Sequence, residues 1–130
     1  MYRQISNLIS SLKNAQLASK SETYIPLNKY NTRILDILVE LGNIRGYSID
    51  PLKGCLVYLK YTDDGVPGIR VLKQISKINK TVDMSAKIVF HIQNTHLVGG
   101  YYIISTTKGI ITNVEAARLN IGGIPLLLVQ

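Results

Sequence analysis

A cluster of small hydrogen-bonding side chains beside a cation is the part of this sequence best suited to chemistry. It consists of Ser105, Thr106, Thr107, Lys108 and Gly109. Each of the three hydroxyls can donate and accept a hydrogen bond, the ammonium group carries a positive charge, and glycine allows close approach of the backbone. These groups suit phosphate oxygens, 2′-hydroxyls and the edges of unstacked bases. The sequence therefore predicts a nucleic-acid contact here.

The residues around the cluster predict a strand before it and a capped helix after it. The apolar run 101–104 is typical of a buried strand. Thr112 and Glu115 have the spacing of a capping box, in which the hydroxyl accepts from the N–H of residue 115 and the carboxylate reaches back to residue 112. We expect Gly122-Gly123 to end the helix, because glycine tolerates a left-handed backbone, and 124–129 to form a closing strand. Without other information, this pattern favours an ordinary strand-to-helix turn over a binding loop.

The first part of the chain predicts two helices on a small sheet. Helices are expected over about 3–19 and 29–41, the second beginning at the N-cap Asn28 and ended by Gly42. The first is indicated by apolar residues at helical spacing, namely Ile5, Leu8, Ile9, Leu12 and Ala15. A short extended piece is expected at 23–26, between the helices, and strands at 44–49, 55–61 and 69–76. The predicted fold class is α+β, with the two helices packed on a three-stranded antiparallel sheet.

A second α/β subdomain is expected after a short linker. We predict subdomains at 1–76 and 81–130, joined by a linker at 77–80. The second subdomain should contain short strands and one or two helices. Residues 81–82 are consistent with a short strand, and 86–97 is predicted as a helix, although its Val, Ile and Phe residues also form strands.

The charge balance favours an anionic partner. The chain has 15 basic and 8 acidic residues, a net charge of +7, which indicates nucleic acid or an anionic membrane surface. Lys13 and Asn14 lie on the polar side of the first helix, for which a solvated face is the favoured alternative. Lys29 and Arg33 lie near the start of the second helix, where the helix dipole disfavours cations. A bound anion would neutralise them.

Motifs for catalysis and for metal or cofactor binding are absent from the sequence. Cys55 lies in an apolar run and is expected to be a buried strand residue, and without a second cysteine there is no intrachain disulfide. His91 and His96 are five residues apart, off the i, i+4 spacing of a helical metal pair. There is no nucleophile elbow and no phosphate loop. We therefore expect no enzyme, no cofactor and no small-molecule substrate. Nor do we expect a transmembrane helix, signal peptide or membrane partner.

The segment 105–123 closely resembles the carboxy-terminal signature of the small-subunit ribosomal protein eight family. That family carries Ser-Thr-Ser-Lys-Gly, a hydrophobic pair with Thr-Asp, then Ala-Arg and Gly-Gly. Here the corresponding residues are 105–109, 110–113, 117–118 and 122–123. Further matches in the family's order cover nearly the whole chain, namely Ile5, Leu8, Ile9, Leu12, Asn14, Ile25-Pro26, Lys29, Ile34, Ile37, Leu38, Gly42, Ile44, Leu59-Lys60-Tyr61, Val71 and Ile75-Ser76-Lys77.

The chain departs from the family pattern at several positions. The usual Pro-Gly is replaced by Ile78-Asn79, and the glutamate expected after Gly-Gly is Ile124. Arginines common in the family's first helix are replaced by Ser10 or Ser11. A tyrosine of the family has no counterpart, and 83–104 matches poorly. RNA contacts made by that glutamate and tyrosine cannot be carried over.

The resemblance implies a structural constituent of the small ribosomal subunit. Such a protein binds the central domain of small-subunit rRNA, supports subunit assembly and contacts neighbours that include small-subunit protein five. The implied RNA-binding residues are Ser105, Thr106, Thr107, Lys108, Gly109, Lys13, Asn14, Lys29, Gly122 and Gly123. The alternative function is an RNA-binding adaptor outside the ribosome. A charged fraction of only 18% suits an organelle-encoded gene, so a mitochondrial location is expected first, before chloroplast or bacterial cytoplasm.

Overall fold

The computed structural model describes residues 1–77, 83–94 and 100–130. Its elements are α1 (Tyr2–Leu17), β1 (Glu22–Ile25), α2 (Lys29–Glu40), β2 (Ile44–Asp50), β3 (Gly54–Leu59), β4 (Leu72–Gln74), α3 (Ala86–Asn94), β5 (Tyr101–Thr106), β6 (Gly109–Thr112), α4 (Asn113–Leu119) and β7 (Ile124–Val129). They form two compact units, Arg3–Arg70 with Met1 (unit 1) and Val71–Gln130 with Tyr2 (unit 2). The predicted α+β class is confirmed. The subdomain bounds 1–76 and 81–130 stay a prediction, and residues 78–82 lie outside the described ranges.

Unit 1 packs α1 and α2 with an antiparallel sheet of order β1-β3-β2. The residues of α1 predicted to face the core are buried, namely Ile5, Leu8, Ile9, Leu12 and Ala15. The buried side of α2 comprises Asn31, Ile34, Leu35, Ile37 and Leu38. Each fully buried aliphatic side chain contributes about 1.5–3 kcal/mol. The apolar stripes of the two helices therefore hold unit 1 together.

Local signals define both ends of α2. The side chain of Asn28 accepts a hydrogen bond from the backbone N–H of Asn31 at 2.9 Å, as expected for an N-cap. After the helix, Gly42 adopts φ +78°, and the next N–H, that of Asn43, donates to the Leu38 carbonyl at 2.9 Å. The predicted start and end of this helix are confirmed.

The third strand of the first sheet is a different segment from the one predicted. The segment 69–76 does not pair with β2 or β3. Its strand, β4, pairs antiparallel with β7 in the second sheet, while β1 fills the third place in the first sheet. Both edges of β3 are already taken by β1 and β2. The N–H and carbonyl of Ile69, which precedes β4, both bond the Gln16 side-chain amide, at 3.3 and 3.1 Å. Its backbone is thereby satisfied by a side chain of α1 and not by a neighbouring strand.

Unit 2 contains a four-stranded antiparallel sheet of order β4-β7-β5-β6. Val89 of α3 and Ala116 of α4 pack with Ile104 and Ile111 in a buried cluster. The predicted helix at 86–97 is confirmed over 86–94, and residues 95–97, including His96, lie outside the described ranges. Asn113 is buried at the start of α4, where its side-chain oxygen accepts from the Tyr102 N–H at 3.0 Å. This hydrogen bond ties α4 to β5.

Candidate nucleic-acid interface

The hydroxyl cluster lies at the tip of a β-hairpin. β5 and β6 pair in register, with Thr106 opposite Gly109 and a turn at Thr107-Lys108. Gly109 has φ +102°, whereas neither turn residue has a positive φ. These backbone angles exclude the mirror-image hairpin turns, which need a positive φ at the first turn residue, and fit a type I turn closed by a glycine bulge. The loop predicted before the helix is thus a hairpin with a second short strand.

The hydroxyl of Thr106 is used within the turn. It donates to the Gly109 carbonyl at 2.9 Å and accepts from the Lys108 N–H at 3.1 Å. A hydroxyl has one hydrogen to donate, so Thr106 cannot also donate to a ligand while the turn is intact. The hydroxyl of Thr106 thus both donates and accepts, as predicted, but within the turn; its contact with RNA stays a prediction. Its role in this geometry is to hold Thr107 and Lys108 in place.

Two hydroxyls and one ammonium group remain for a ligand. Thr107, Lys108 and Gly109 are exposed, and Ser105 is half-buried. Neither the Ser105 nor the Thr107 hydroxyl bonds any other residue that the structure describes. The position of a Cβ on Gly109 has no heavy atom within 4 Å. The tip therefore presents hydroxyls, a cation and accessible backbone on one short turn.

Only one of the two hydrogen bonds of the predicted capping box is formed at the start of α4. The Thr112 hydroxyl accepts from the Glu115 N–H at 3.3 Å, as predicted. The Glu115 carboxylate, however, forms an ion pair with Arg118, whose Nε lies 3.0 Å from Oε2. A charged partner one turn along the helix has replaced the N–H of residue 112 in this role. The hydrogen bond from Arg118 lowers the pKa of Glu115.

This ion pair predicts a pH-dependent contribution to stability. Because the pKa of folded Glu115 is lowered, the pair stabilises the fold above the pKa of unfolded glutamate, and this contribution is lost as pH falls through the folded pKa. The free energy of unfolding of the wild type should exceed that of Glu115→Gln by a small margin at pH 7, and the difference should close in acid. Urea unfolding of both proteins at pH 7 and pH 3 measures it. A difference that persists undiminished at pH 3 would contradict the ion-pair explanation.

Gly122 and Gly123 lie where the chain has no room for a side chain. A Cβ on Gly123 would overlap the Ser105 carbonyl oxygen, and one on Gly122 would overlap the Met84 carbonyl oxygen. Gly123 also exchanges two backbone hydrogen bonds with Met84, at 2.7 and 2.8 Å. The glycine pair therefore supports the base of the hairpin. An RNA contact by this pair stays a prediction.

The prediction that Gly122-Gly123 ends α4 is wrong. α4 ends at Leu119, and its C-cap Asn120 adopts the left-handed conformation with φ 55° and ψ 47°. Neither Gly122 nor Gly123 has a positive φ. Asparagine also tolerates this conformation, because its short polar side chain can bond locally. The two glycines thus serve close packing and not chain reversal.

The basic residues predicted in the two helices all belong to unit 1. Lys13 and Asn14 are exposed on α1. Lys29 is exposed at the start of α2, with its Nζ 5.1 Å from the centre of the Tyr30 ring. Lys13 lines a groove together with Arg70, a residue that the sequence did not single out. Arg70 lies beside Lys13 because Gln16 holds residue 69 against α1, a long-range contact for which the sequence has no local signal.

Arg33 lies in a groove of mixed charge. Asp36, Glu40 and Tyr47 line the same groove. The Tyr47 hydroxyl donates to Asp36 Oδ1 at 2.5 Å, and this hydrogen bond is the main cause that raises the pKa of Tyr47 to about 12. Two carboxylates beside Arg33 reduce the positive potential there. Lys13, Lys29 and Arg70 do not line this groove of mixed charge.

Three further predictions concern Cys55, metal binding and membrane helices. Cys55 is fully buried on β3, as expected, and burial raises the pKa of its thiol. Within the described ranges, no group of three or more His, Cys, Asp or Glu side chains could hold a metal ion. Of the helices in those ranges, none is both long and apolar enough to cross a membrane.

Comparisons with known proteins place the whole fold in one family. The profile of the family described as Ribosomal protein S8 matches residues 3–129. A small ribosomal subunit protein uS8 from Rhodopseudomonas palustris (strain BisB18) is 37% identical over 123 residues, which cover 92% of this chain and 90% of the relative. The proteins of the same name from Caulobacter vibrioides (strain NA1000 / CB15N) and Cereibacter sphaeroides (strain ATCC 17025 / ATH 2.4.3) are 35% and 34% identical, with the same coverage. The chain belongs to the ribosomal protein S8 family.

Proposed function

We propose that this protein is a structural constituent of the small ribosomal subunit and binds its rRNA. The observation that carries the proposal is the family match over residues 3–129, which spans both units. The relatives named above are small-subunit ribosomal proteins. The hairpin tip supports the RNA-binding part of the proposal, because it combines a cation with hydroxyls that are left for a ligand.

The hairpin turn is the proposed specific contact. Thr107 and Ser105 can donate to phosphate oxygens and exchange hydrogen bonds with 2′-hydroxyls, which distinguish RNA from DNA. Lys108 places a charge beside them. The open space next to Gly109 lets a sugar or phosphate approach the backbone closely. Thr106 keeps these groups in one arrangement, so the turn need not be ordered when RNA binds.

The basic surface is proposed to supply the affinity that does not depend on sequence. The net charge of +7 and exposed side chains such as Lys13 and Lys29 favour any polyanion. Each lysine that neutralises a phosphate releases counterions, so binding weakens as the salt concentration rises. Asn14, next to Lys13 on α1, is proposed as a hydrogen-bonding partner on the same surface.

The partners and the compartment are proposed in finer detail from the sequence. The family resemblance supports the central domain of the rRNA as the binding site and small-subunit protein five as a neighbour. The low charged fraction supports a mitochondrial ribosome, with chloroplast or bacterial cytoplasm as alternatives, and the relatives named above are bacterial. An RNA-binding adaptor outside the ribosome is the competing function.

Gradient sedimentation with RNA crosslinking tests the proposal. Tagged protein is sedimented from organelle extract at stepped salt concentrations, and the crosslinked RNA is sequenced. We expect the protein in the small-subunit peak, crosslinked to the central rRNA domain. Protein that stays at the top of the gradient and crosslinks to other RNAs would support the adaptor and overturn the ribosomal role.

A further inference from the structure

The outer face of the unit 1 sheet carries two tyrosine rings. Buried and half-buried residues alternate along β3, which places Leu56 and Tyr58 on the face away from the core. On β1, Tyr24 lies opposite Leu56 and is 46% exposed. Tyr24 and Tyr58 are therefore diagonal neighbours on adjacent strands, a relation that separates residues by about 7–8 Å.

Each of these rings has a cation near it. The guanidinium carbon of Arg45 lies 5.8 Å from the centre of the Tyr58 ring, and Lys53 Nζ lies 5.8 Å from the centre of the Tyr24 ring. Aromatic rings together with arginine or lysine are the groups on which single-stranded nucleic acid is bound, because the ring stacks with a base while the cation meets the backbone.

Tyr58 lies opposite a glycine on β2. This glycine is Gly46, and a Cβ built there would have no heavy atom within 4 Å. The next outward residue on β2 is Ser48, whose Oγ lies 3.2 Å from the Tyr58 hydroxyl. The edge of the Tyr58 ring therefore carries two hydroxyls that can hydrogen-bond a base.

The cations beside the two rings favour an anionic occupant. Arg45 and Lys53 are exposed. The acidic side chains nearby are Glu22 on β1 and Asp50, whose carboxylate accepts a backbone hydrogen bond within the β2–β3 turn. Since both rings are paired with cations, an anionic chain with planar bases fits the face better than a neutral protein surface.

We propose that this face binds an unpaired stretch of RNA, with bases stacked on Tyr24 and Tyr58 and phosphates near Arg45 and Lys53. The spacing of about 7–8 Å is roughly twice the ~3.4 Å rise between stacked bases. The two bases would therefore be splayed apart, as in loops and bulges. This site is separate from the hairpin turn, and the inference does not rest on the proposed ribosomal function.

Titration of the full-length protein with a short RNA tests the inference. The probe is a fluorescein-labelled, mixed-sequence RNA that cannot pair with itself, and the unlabelled RNA annealed to its complement serves as competitor. Binding is followed by anisotropy at fixed salt. The protein contains eight tyrosines and no tryptophan, so stacking on Tyr24 and Tyr58 should also quench its intrinsic fluorescence when unlabelled RNA is added.

Three variants separate stacking from general charge. Tyr24→Leu with Tyr58→Leu removes both rings and should weaken binding at least about tenfold. Tyr24→Phe with Tyr58→Phe keeps the rings and should retain the affinity but lose the quenching. Gly46→Thr should weaken binding by adding a side chain directly opposite Tyr58. It should not disturb the fold, because Gly46 has neither a positive φ nor a close neighbour.

Ile49→Thr is the matched control. Ile49 is exposed on the same strand but points to the other face, one position from Ser48, so its replacement should leave binding unchanged. Circular dichroism and thermal unfolding check that each variant is folded. Wild-type affinity in a folded double-leucine variant would overturn the inference. A double-leucine variant that loses affinity for single-stranded and duplex RNA to the same extent would also overturn it. Normal RNA binding with loss of a protein neighbour from reconstituted subunits would identify a protein-docking face instead.

Discussion

Replacing both Thr106 and Lys108 by alanine should weaken binding of a small-subunit rRNA fragment at least about tenfold. Lys108 supplies the charge of the hairpin tip, and Thr106 supplies the hydroxyl that joins the Gly109 carbonyl to the Lys108 N–H. The double variant therefore removes a phosphate contact and loosens the turn that orients the remaining hydroxyls. Filter binding or anisotropy over a series of salt concentrations measures both the affinity and the number of phosphates contacted.

Two control variants make this result specific. Thr106→Ser keeps the hydroxyl and should bind nearly as the wild type. Lys73→Ala removes an exposed lysine on β4 of the same unit and should lower affinity less than the double variant does. If the double variant is folded and binds normally, the hairpin tip is not the RNA-binding site. In that case, family membership would be unaffected.

Replacing Gly123 by alanine should lower the free energy of unfolding by about 3 kcal/mol. Its Cβ would overlap the Ser105 carbonyl oxygen and lie 2.9 Å from Ile104 Cγ2. The neighbouring atoms belong to the backbone of β5 and to a fully buried side chain, so neither can move aside easily. The expected result is a lower urea midpoint, measured by circular dichroism.

Alanine substitutions at two other glycines separate atomic overlap from backbone strain as the cause of the lost stability. Gly109→Ala meets no neighbouring atom but must hold φ +102°, so it should cost about 1–2 kcal/mol from backbone strain alone. Gly46→Ala has neither a close neighbour nor a positive φ, and it should be neutral or slightly stabilising. If Gly123→Ala were as stable as Gly46→Ala, the close packing against β5 would not matter for folding.

Features set by nearby residues could be predicted from the sequence. The core side of α1 follows from apolar residues at helical spacing, and the caps at Asn28 and Thr112 depend on contacts within three residues. The cluster at 105–109 was recognisable as a unit because its polar residues are consecutive. Each of these features depends only on residues that are close together in the sequence.

Features that depend on distant partners were mispredicted. The residues of β4 have a strand pattern, but nothing in that pattern identifies β7 as their partner. β6 has only four residues and is followed at once by α4, so its sequence could not be distinguished from the predicted loop. Gly122-Gly123 has the composition of a helix stop, and its role in packing is visible only once Met84 and Ser105 lie beside it.

The position of β7 has a consequence for synthesis of the chain. β7 lies between β4 and β5 in the second sheet, so that sheet cannot assemble until residues 124–129 have left the ribosome that makes them. All the strands of the first sheet lie before residue 60 and can pair much earlier. Since domains generally fold as units during synthesis, unit 1 should become protease-resistant on a stalled nascent chain while unit 2 is still unfolded.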